Sequence, residues 1–500
     1  MSSGAAVAAI FVVTVATVTI GALGLRISRT TSDFYVASRS VSPGLNSSAI
    51  SGEYLSAASF LGIAGLVLTF GADMLWYPIG WTTGYLLLLV FVAAPLRRSG
   101  AYTIPDFAQL RLGSSGVRLT STWLVVGVGW LYLMPQFQGA GLTVQATTGA
   151  PPWVGTALVA AVVVVNVVSG GMRSITFVQA FQYWVKLTAM LVPLVFLLLV
   201  WRSDGAPGPV APDQWFAPLG AATPQSLYTT YAVIIATFLG TMGLPHVVVR
   251  FYTNPDGRAA RRTTLIVLAL LGVFYLLPTV YGVLGRIYAP DLVDAGHADT
   301  VVLELPGRMI DGVAGDALSA LLMGGAFAAF LSTSSGVTMA LAGVVGQGLG
   351  RRSWWPARLS QVAALRWAAA ACVAVPLALG LLAQPIPVAN SVVFAFALAA
   401  STFCPLLVLG IWWRGLTAPG AVAGLVGGGL AATAAPLLTL TVAPTGWLGT
   451  LLAQPAAWSV PLGFALMIGG SLLTRSRVPA DVTHTMIRLH TPERLRLDRG

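Results

Sequence analysis

The sequence predicts an all-α polytopic membrane protein, and three observations carry that expectation. Of its 500 residues 56% are hydrophobic and only 9% charged, against about 25% charged in an ordinary soluble domain. Apolar runs long enough to cross a bilayer, which takes about 20 residues, recur along the whole chain. They are interrupted by 30 prolines and 55 glycines, and they lack the alternating segments of about ten residues that mark barrel strands. The net charge of +11 does not imply a nucleic-acid partner once the charges are located. Apart from Lys186, Arg202, Arg286 and Arg308, the basic residues lie in loops that alternate with nearly neutral or acidic ones. The basic loops are therefore cytoplasmic by the positive-inside rule. The two cysteines, Cys372 and Cys404, sit in apolar runs without metal-type spacing.

Taken in order, Ala5–Leu25 is a first span with no basic residue before it and Arg26 and Arg29 after it. That order is the reverse of a cleavable signal peptide, so the amino terminus is expected outside. The second span, SPGLNSSAISGEYLSAASFLGIAGLVLTF (Ser42–Phe70), then runs outward. The third (about Trp76–Leu96) returns to a loop holding Arg97, Arg98, Arg111 and Arg118. The fourth and fifth (about Leu119–Thr143 and Trp153–Val168) form a hairpin over Gly149–Pro152, and Gly170-Gly171 turns the chain into the sixth (about Ile175–Trp201). An outer loop with Asp204 and Asp213 leads to the seventh (about Leu227–Val249), which ends in the basic stretch Arg250–Arg262. The eighth (about Thr263–Tyr288) precedes an acidic outer loop, Ala289–Gly315, and the ninth (about Asp316–Val345) leads to Arg351, Arg352 and Arg358. Four more spans are expected near 362–383, 386–413, 418–440 and 456–474, about thirteen in all at this spacing. The chain reads as one transporter domain (1–476) with a cytoplasmic tail (477–500).

The second span organises the rest. It carries a carboxylate, Glu53, and an ionisable group inside a membrane is costly enough to mark a functional site. Gly52 and the surrounding Ser and Ala residues let the backbone unwind there, which is tolerated at membrane depth only where it lines a cavity or is buried in protein. The seventh span is interrupted in the same way at Gly240-Thr241-Met242-Gly243. The two lie five spans apart and cross in opposite senses. Corresponding interruptions in two halves point to the binding site of an inverted-repeat transporter, with repeats at about 43–201 and 227–413.

At these residues the chain resembles the sodium:solute symporter family, and within it the cation/acetate (monocarboxylate) permeases. The stretches that carry the resemblance are TSDFYVASRS, SGEYLSAASFLG, YTIPDFAQLRLG, GGMRS and GLPHVVVRFYT, spread over roughly Thr31–Gly350. The resemblance implies a LeuT-like core of about five plus five inverted helices, formed by the second to sixth and seventh to eleventh spans. It also implies a sodium site between the second and ninth spans. The site's oxygens would come from the carbonyls of Gly52 and Leu55 and from Ala329, Ser332 and Thr333. Residues 329, 332 and 333 share one helix face by spacing alone, although Ser332–Ser335 equally suit back-bonding to the preceding turn or helix packing. Many family members place an acid in the sixth span where this chain has Gln179, which leaves the coupling ion open between sodium and a proton. Glu53 either neutralises the bound cation, carries a proton itself, or is a protonated acid bonded across helices.

A small carboxylate needs N–H donors and a favourable dipole, which a half-helix amino terminus supplies. The second half of the second span starts near Ala57–Ser59, so Ser56, Ser59, Thr241 and Gly243 are candidate solute residues, with Tyr132 and Gln136 closing the pocket. Trp76, Trp81 and Trp130 read as packing or interface aromatics. His246 and Arg250, at i and i+4, read as a gate or, for Arg250, as a headgroup anchor, and Lys186 as a buried residue whose partner sequence does not name. The expected function is uptake of a small monocarboxylate such as acetate, propionate or pyruvate, with sodium or a proton as coupling ion and no enzymatic cofactor. The alternatives are an amino acid or vitamin symporter of the same fold, or a transporter-like nutrient sensor. An enzyme is set aside: no HExxH, GxSxG or paired-aspartate site is present, and the histidines at 246, 297, 484 and 490 are scattered. The expected location is the inner membrane of a bacterium, with the carboxyl terminus cytoplasmic.

Overall fold

The computed structural model describes residues 3–25, 37–209, 215, 223–350, 361–382 and 388–493, with helices and short connections and no strand among them. Arg26, Arg29, residues 31–36 of TSDFYVASRS, Asp213, Arg351, Arg352, Arg358 and the tail beyond residue 493 lie outside the described residues. After α1 (Ser3–Leu25), α2 (Pro43–Tyr54) starts with proline in its first turn, where the missing N–H costs nothing. A π-helical turn, Ala58–Gly62, leads into α3 (Ile63–Phe70). Gly71, at φ 79°, reverses the chain, a conformation that L side chains rarely adopt. α4 (Trp76–Leu87) and α5 (Ala93–Ser99) follow, joined by a second π turn. The connection after them folds into α6 (Ile104–Leu112), capped by Thr103, whose hydroxyl accepts from the Asp106 N–H.

α7 (Ser115–Thr148) and α8 (Pro152–Ser203) complete the first half. Unbroken, the 52 residues of α8 would run about 78 Å, more than twice the roughly 30 Å hydrocarbon layer. The break falls at Gly171, φ 60° and ψ −165°, inside the Gly-Gly turn that sequence predicts. α9 (Pro224–Gly243) and α10 (Pro245–Val249) are separated at Leu244, φ −69° and ψ 120°. Sequence places that interruption on the glycines; the structure moves it to Leu244, because a residue before proline is driven out of the helical region. Gly240 and Gly243 serve close packing instead. A methyl group on either would strike the Phe396 or Ala399 carbonyl of α15. The second half continues with α11 (Gly257–Tyr288), α12 (Val301–Met309), α13 (Gly312–Gly350), α14 (Gln361–Leu382), α15 (Val388–Trp412), α16 (Ala418–Val442), α17 (Ala456–Leu473) and α18 (Val482–His490).

Eleven segments among the described residues are long and apolar enough to span a membrane, where sequence predicts about thirteen. Two of the eleven, of 42 and 52 residues, contain the positive-φ glycines Gly71 and Gly171. The core is built from α13 against α8, α2 against α8, and α9 against both α4 and α15, while α16 pairs with α17. α1 lies on α8 and α13, tied by Ser174 Oγ donating to the Gly21 carbonyl at 2.8 Å and Gln182 Nε2 donating to Thr17 Oγ1 at 3.0 Å.

A cavity of about 760 Å³ opens beside the acidic segment, bounded by Thr143, His297 and Glu304, and descends to Leu61 and Gly139. Three hydrogen bonds tie elements together on the opposite, basic side. Arg39 donates to the Gly100 carbonyl at 2.7 Å, Arg97 to the Pro255 carbonyl at 2.6 Å and Asn46 to the Arg250 carbonyl at 3.3 Å.

Candidate functional site

The site starts from the gap between α2 and α3. α2 ends at Leu55, whose ψ of 87° leaves the helical region, and Ser56 belongs to no helix. Stopping a helix strips its last carbonyls of their N–H partners, and at membrane depth those carbonyls need other donors. Lys186 Nζ, from α8, donates to the carbonyl of Gly52 and to that of Leu55 at 2.8 Å. Thr333 Oγ1, from α13, donates to the Glu53 carbonyl at 2.6 Å. On the far side of the gap, the Ala57 N–H donates to Gln136 Oε1 at 2.8 Å. Gln136 Nε2 in turn donates to the Tyr132 carbonyl at 3.3 Å.

Of the five residues expected to hold a cation, Gly52, Leu55 and Ser332 meet an occupant from the chain itself, while Thr333 bonds the Glu53 carbonyl and the Ala329 carbonyl accepts from Ser332. Lys186 Nζ also donates to Ser332 Oγ at 2.7 Å, so three of the expected oxygen ligands converge on one ammonium. Ser332 Oγ donates onward to the Ala329 carbonyl at 3.1 Å. Lys186 is fully buried.

Glu53 belongs to a second cluster one step away. Arg250 Nε donates to Glu53 Oε2 at 2.6 Å, its Nη1 to Thr176 Oγ1 at 2.9 Å, and its Nη2 to Gln179 Oε1. Gln179 Nε2 donates to the Ser332 carbonyl at 2.8 Å, linking the two clusters. The headgroup-anchor expectation for Arg250 is thus corrected: its side chain is 1% exposed and paired with a carboxylate that is 2% exposed. The four-residue helical turn Arg250–Thr253 folds inward and is buried throughout. Gly336 makes room for this pair, since a methyl group there would overlap the Glu53 carboxylate and approach Gln179 Nε2 within 2.6 Å.

Of the expected solute residues, Thr241 Oγ1 pairs with Tyr54 Oη at 2.8 Å, joining the two interrupted helices directly. Ser59 Oγ pairs with Tyr275 Oη at 2.9 Å. Ser56 and Tyr132 are buried at the same level, and Tyr132 packs on His246 with ring centroids 4.7 Å apart. Gly243 faces α15 instead, as described above. Around Tyr54 and Tyr132 stands a group of rings that sequence does not foresee. Phe396 lies 6.3 Å from Tyr54, 6.0 Å from Tyr132 and 5.8 Å from Trp81; Tyr85 meets Tyr54 edge-on at 4.9 Å. Trp81 is 2% exposed and packs on Phe396, so of the two expected readings it is a packing residue and not a belt residue. Its Nε1, Tyr85 Oη and His246 Nε2 are buried without a hydrogen-bond partner among the described protein atoms.

Arg250, His246, Trp81, Tyr85 and Gly336 escape sequence reasoning because their partners come from distant parts of the chain. Lys186 had a usable signal. Thr176, Gln179, Tyr183 and Lys186 repeat at helical spacing and form one polar stripe on an otherwise apolar span.

With this geometry in hand, comparison with known proteins decides the family. The model of the sodium:solute symporter family matches residues 34–428. The chain belongs to that family. The symporter is 30% identical over 486 residues to the uncharacterized symporter YwcA of Bacillus subtilis (strain 168), covering 92% of this chain and 93% of that one. It is 31% identical over 483 residues to a monocarboxylic acid transporter of Corynebacterium glutamicum, covering 88% and 86%. Among solved structures it resembles a Na+-coupled sialic acid symporter in its substrate-bound outward-open state, with TM-score 0.70, 14% identity and coverage of 93% and 98%. It also resembles Mhp1, a nucleobase-cation-symport-1 family transporter, in a closed conformation, with TM-score 0.54, 12% identity and coverage of 92% and 99%. These likenesses show a LeuT-like transporter fold, as the resemblance implies, and a transporter in place of an enzyme.

Proposed function

We propose that the symporter takes up a small monocarboxylate, such as acetate, propionate or pyruvate, by cation-coupled alternating access. The solute sits where the interruptions of α2–α3 and α9–α10 meet. One observation carries this reading: three buried polar atoms, Trp81 Nε1, Tyr85 Oη and His246 Nε2, lack partners in the ring cluster beside the Tyr54–Thr241 contact. A buried polar group without a partner costs roughly 1–3 kcal/mol, so such atoms persist where a ligand completes them. Carboxylate oxygens accept from an indole N–H and a phenol O–H alike. The charges nearby favour an anion as well, because Arg250 pairs with Glu53 while Lys186 bonds only neutral oxygens. The Corynebacterium relative is named for monocarboxylic acid transport, in keeping with this class.

In this arrangement the cavity beside the acidic segment is the entry path from outside. The tied basic side is cytoplasmic, as expected for a bacterial inner-membrane protein with its amino terminus outside. Labelled acetate uptake into proteoliposomes tests the reading, with unlabelled propionate, pyruvate and proline as competitors. Inhibition by the two carboxylates but not by proline is expected, and Trp81→Phe should raise KM more than it lowers the maximal rate. Competition by proline alone overturns the solute class in favour of an amino acid symporter.

A further inference from the structure

We propose that the ammonium of Lys186 is the resident cation of the site between α2 and α13, and that it closes this site to sodium. Three of the five oxygens expected around a bound monovalent ion, the Gly52 and Leu55 carbonyls and Ser332 Oγ, are contacted by Nζ, the last two at 2.8 and 2.7 Å. An ion coordinated by the same three atoms would coincide with the nitrogen. The match of donor to acceptor is complete, since an ammonium carries three N–H bonds and no lone pair, and three oxygens receive them.

The residue type is specific to this task. Among 27 basic residues, position 186 holds the sole lysine. A guanidinium is a planar fork, made for two parallel acceptors, whereas an ammonium is a compact point charge with donors directed to the corners of a pyramid. Only the latter can imitate a small spherical cation among oxygens from two helices. The neighbouring position agrees. Gln179, an amide with no charge to offer a cation, spends its two ends on the Ser332 carbonyl and on Arg250. Gln179 and Lys186 share one face of α8 by their seven-residue spacing. This face of α8 thus presents a neutral amide and a tethered positive charge to the site, with no acid to draw sodium. Bridging the broken helix to α13, the duty an ion would have there, falls to a side chain.

The inference deepens the transport reading and relies on it only for its second readout. The first readout is equilibrium binding of radioactive sodium to the purified full-length protein in detergent, with potassium and choline chloride as controls. Wild type should show no saturable sodium binding that Ser332→Ala removes. Lys186→Ala, which empties the centre and leaves the three oxygens, should acquire saturable, sodium-selective binding. A gain in melting temperature of about 2 °C or more at saturating sodium should accompany it, and both should disappear in Lys186→Ala/Ser332→Ala. Saturable sodium binding by wild type that Ser332→Ala abolishes overturns the proposal, and so does a folded Lys186→Ala protein that binds none. Should Lys186→Ala not fold, the comparison of wild type with Ser332→Ala decides alone. The second readout is acetate uptake by wild-type proteoliposomes with external sodium replaced by choline, which should keep its rate. Absence of acetate uptake under every gradient counts against the solute assignment and leaves the binding result intact, so the two readings fail separately.

Discussion

Replacing Glu53 by glutamine keeps the shape of the side chain and removes the charge that faces Arg250. The two groups are 2.6 Å apart and 2% and 1% exposed, so water cannot take the place of the carboxylate. Breaking a buried ion pair by deleting one partner costs about 3–5 kcal/mol, because the other charge stays buried without compensation. At an unfolding entropy of about 2.1 cal/mol/K per residue, a chain of 500 residues loses about 1 °C of melting temperature per kcal/mol. A fall of about 3–5 °C is therefore expected for Glu53→Gln, read by thermal unfolding of the purified protein in detergent. Arg250→Met alone should also destabilise, since it leaves Glu53 unpaired and the Thr176 and Gln179 side chains short of a donor. The double variant should lose less than the two single losses added, because no unpaired buried charge remains in it. A Glu53→Gln protein that melts within about 1 °C of wild type, or strictly additive losses, would refute the assignment of this pair as a charged, coupled unit.

Gly336→Ala should abolish uptake and lower the folded yield, seen as loss of the monodisperse peak on size-exclusion chromatography. Its methyl group overlaps the Glu53 carboxylate, and neither Glu53 nor Gln179 has slack to move aside. Gln136→Leu removes the acceptor for the Ala57 N–H. It should cost about 1–3 kcal/mol and slow acetate uptake, whereas Gln136→Glu, which restores an acceptor, should recover part of both. On the acidic side, Arg308 bonds the exposed Asp291 carboxylate at 2.6 and 2.9 Å and holds its pKa below the ordinary carboxylate value. A depressed acid stabilises the fold fully above its unfolded pKa, near 3.9, and loses that contribution as pH falls through the folded value. Amide exchange in residues 291–309 should therefore quicken only below about pH 4. Asp291→Asn should quicken it at neutral pH and flatten the acid dependence.

Sequence reached the membrane class and an interruption in the second span because each rests on local chemistry, although it set the unwinding at Gly52, which is still helical, and the chain leaves the helix at Leu55. Apolar run length, loop charge and a cluster of small residues are properties of neighbours along the chain. The turn at Gly171 was legible for the same reason. The break at Leu244 was nearly so, and the error of placing it on Gly240–Gly243 came from weighing glycine above the proline that follows. Family resemblance brought Gly52, Leu55, Ala329, Ser332 and Thr333 together as a cation site; in the structure Gly52, Leu55 and Ser332 share the Lys186 ammonium as a partner.

What fills the space between those oxygens was decided by tertiary structure alone. Lys186 lies 131 residues from Leu55 and 146 from Ser332, and Arg250 lies 197 from Glu53. No periodicity along one helix encodes which buried cation meets which acceptor on another. That choice follows from the crossing of α2, α8 and α13, where low polarity forces each orphaned carbonyl and each charge to take whatever partner the packing delivers.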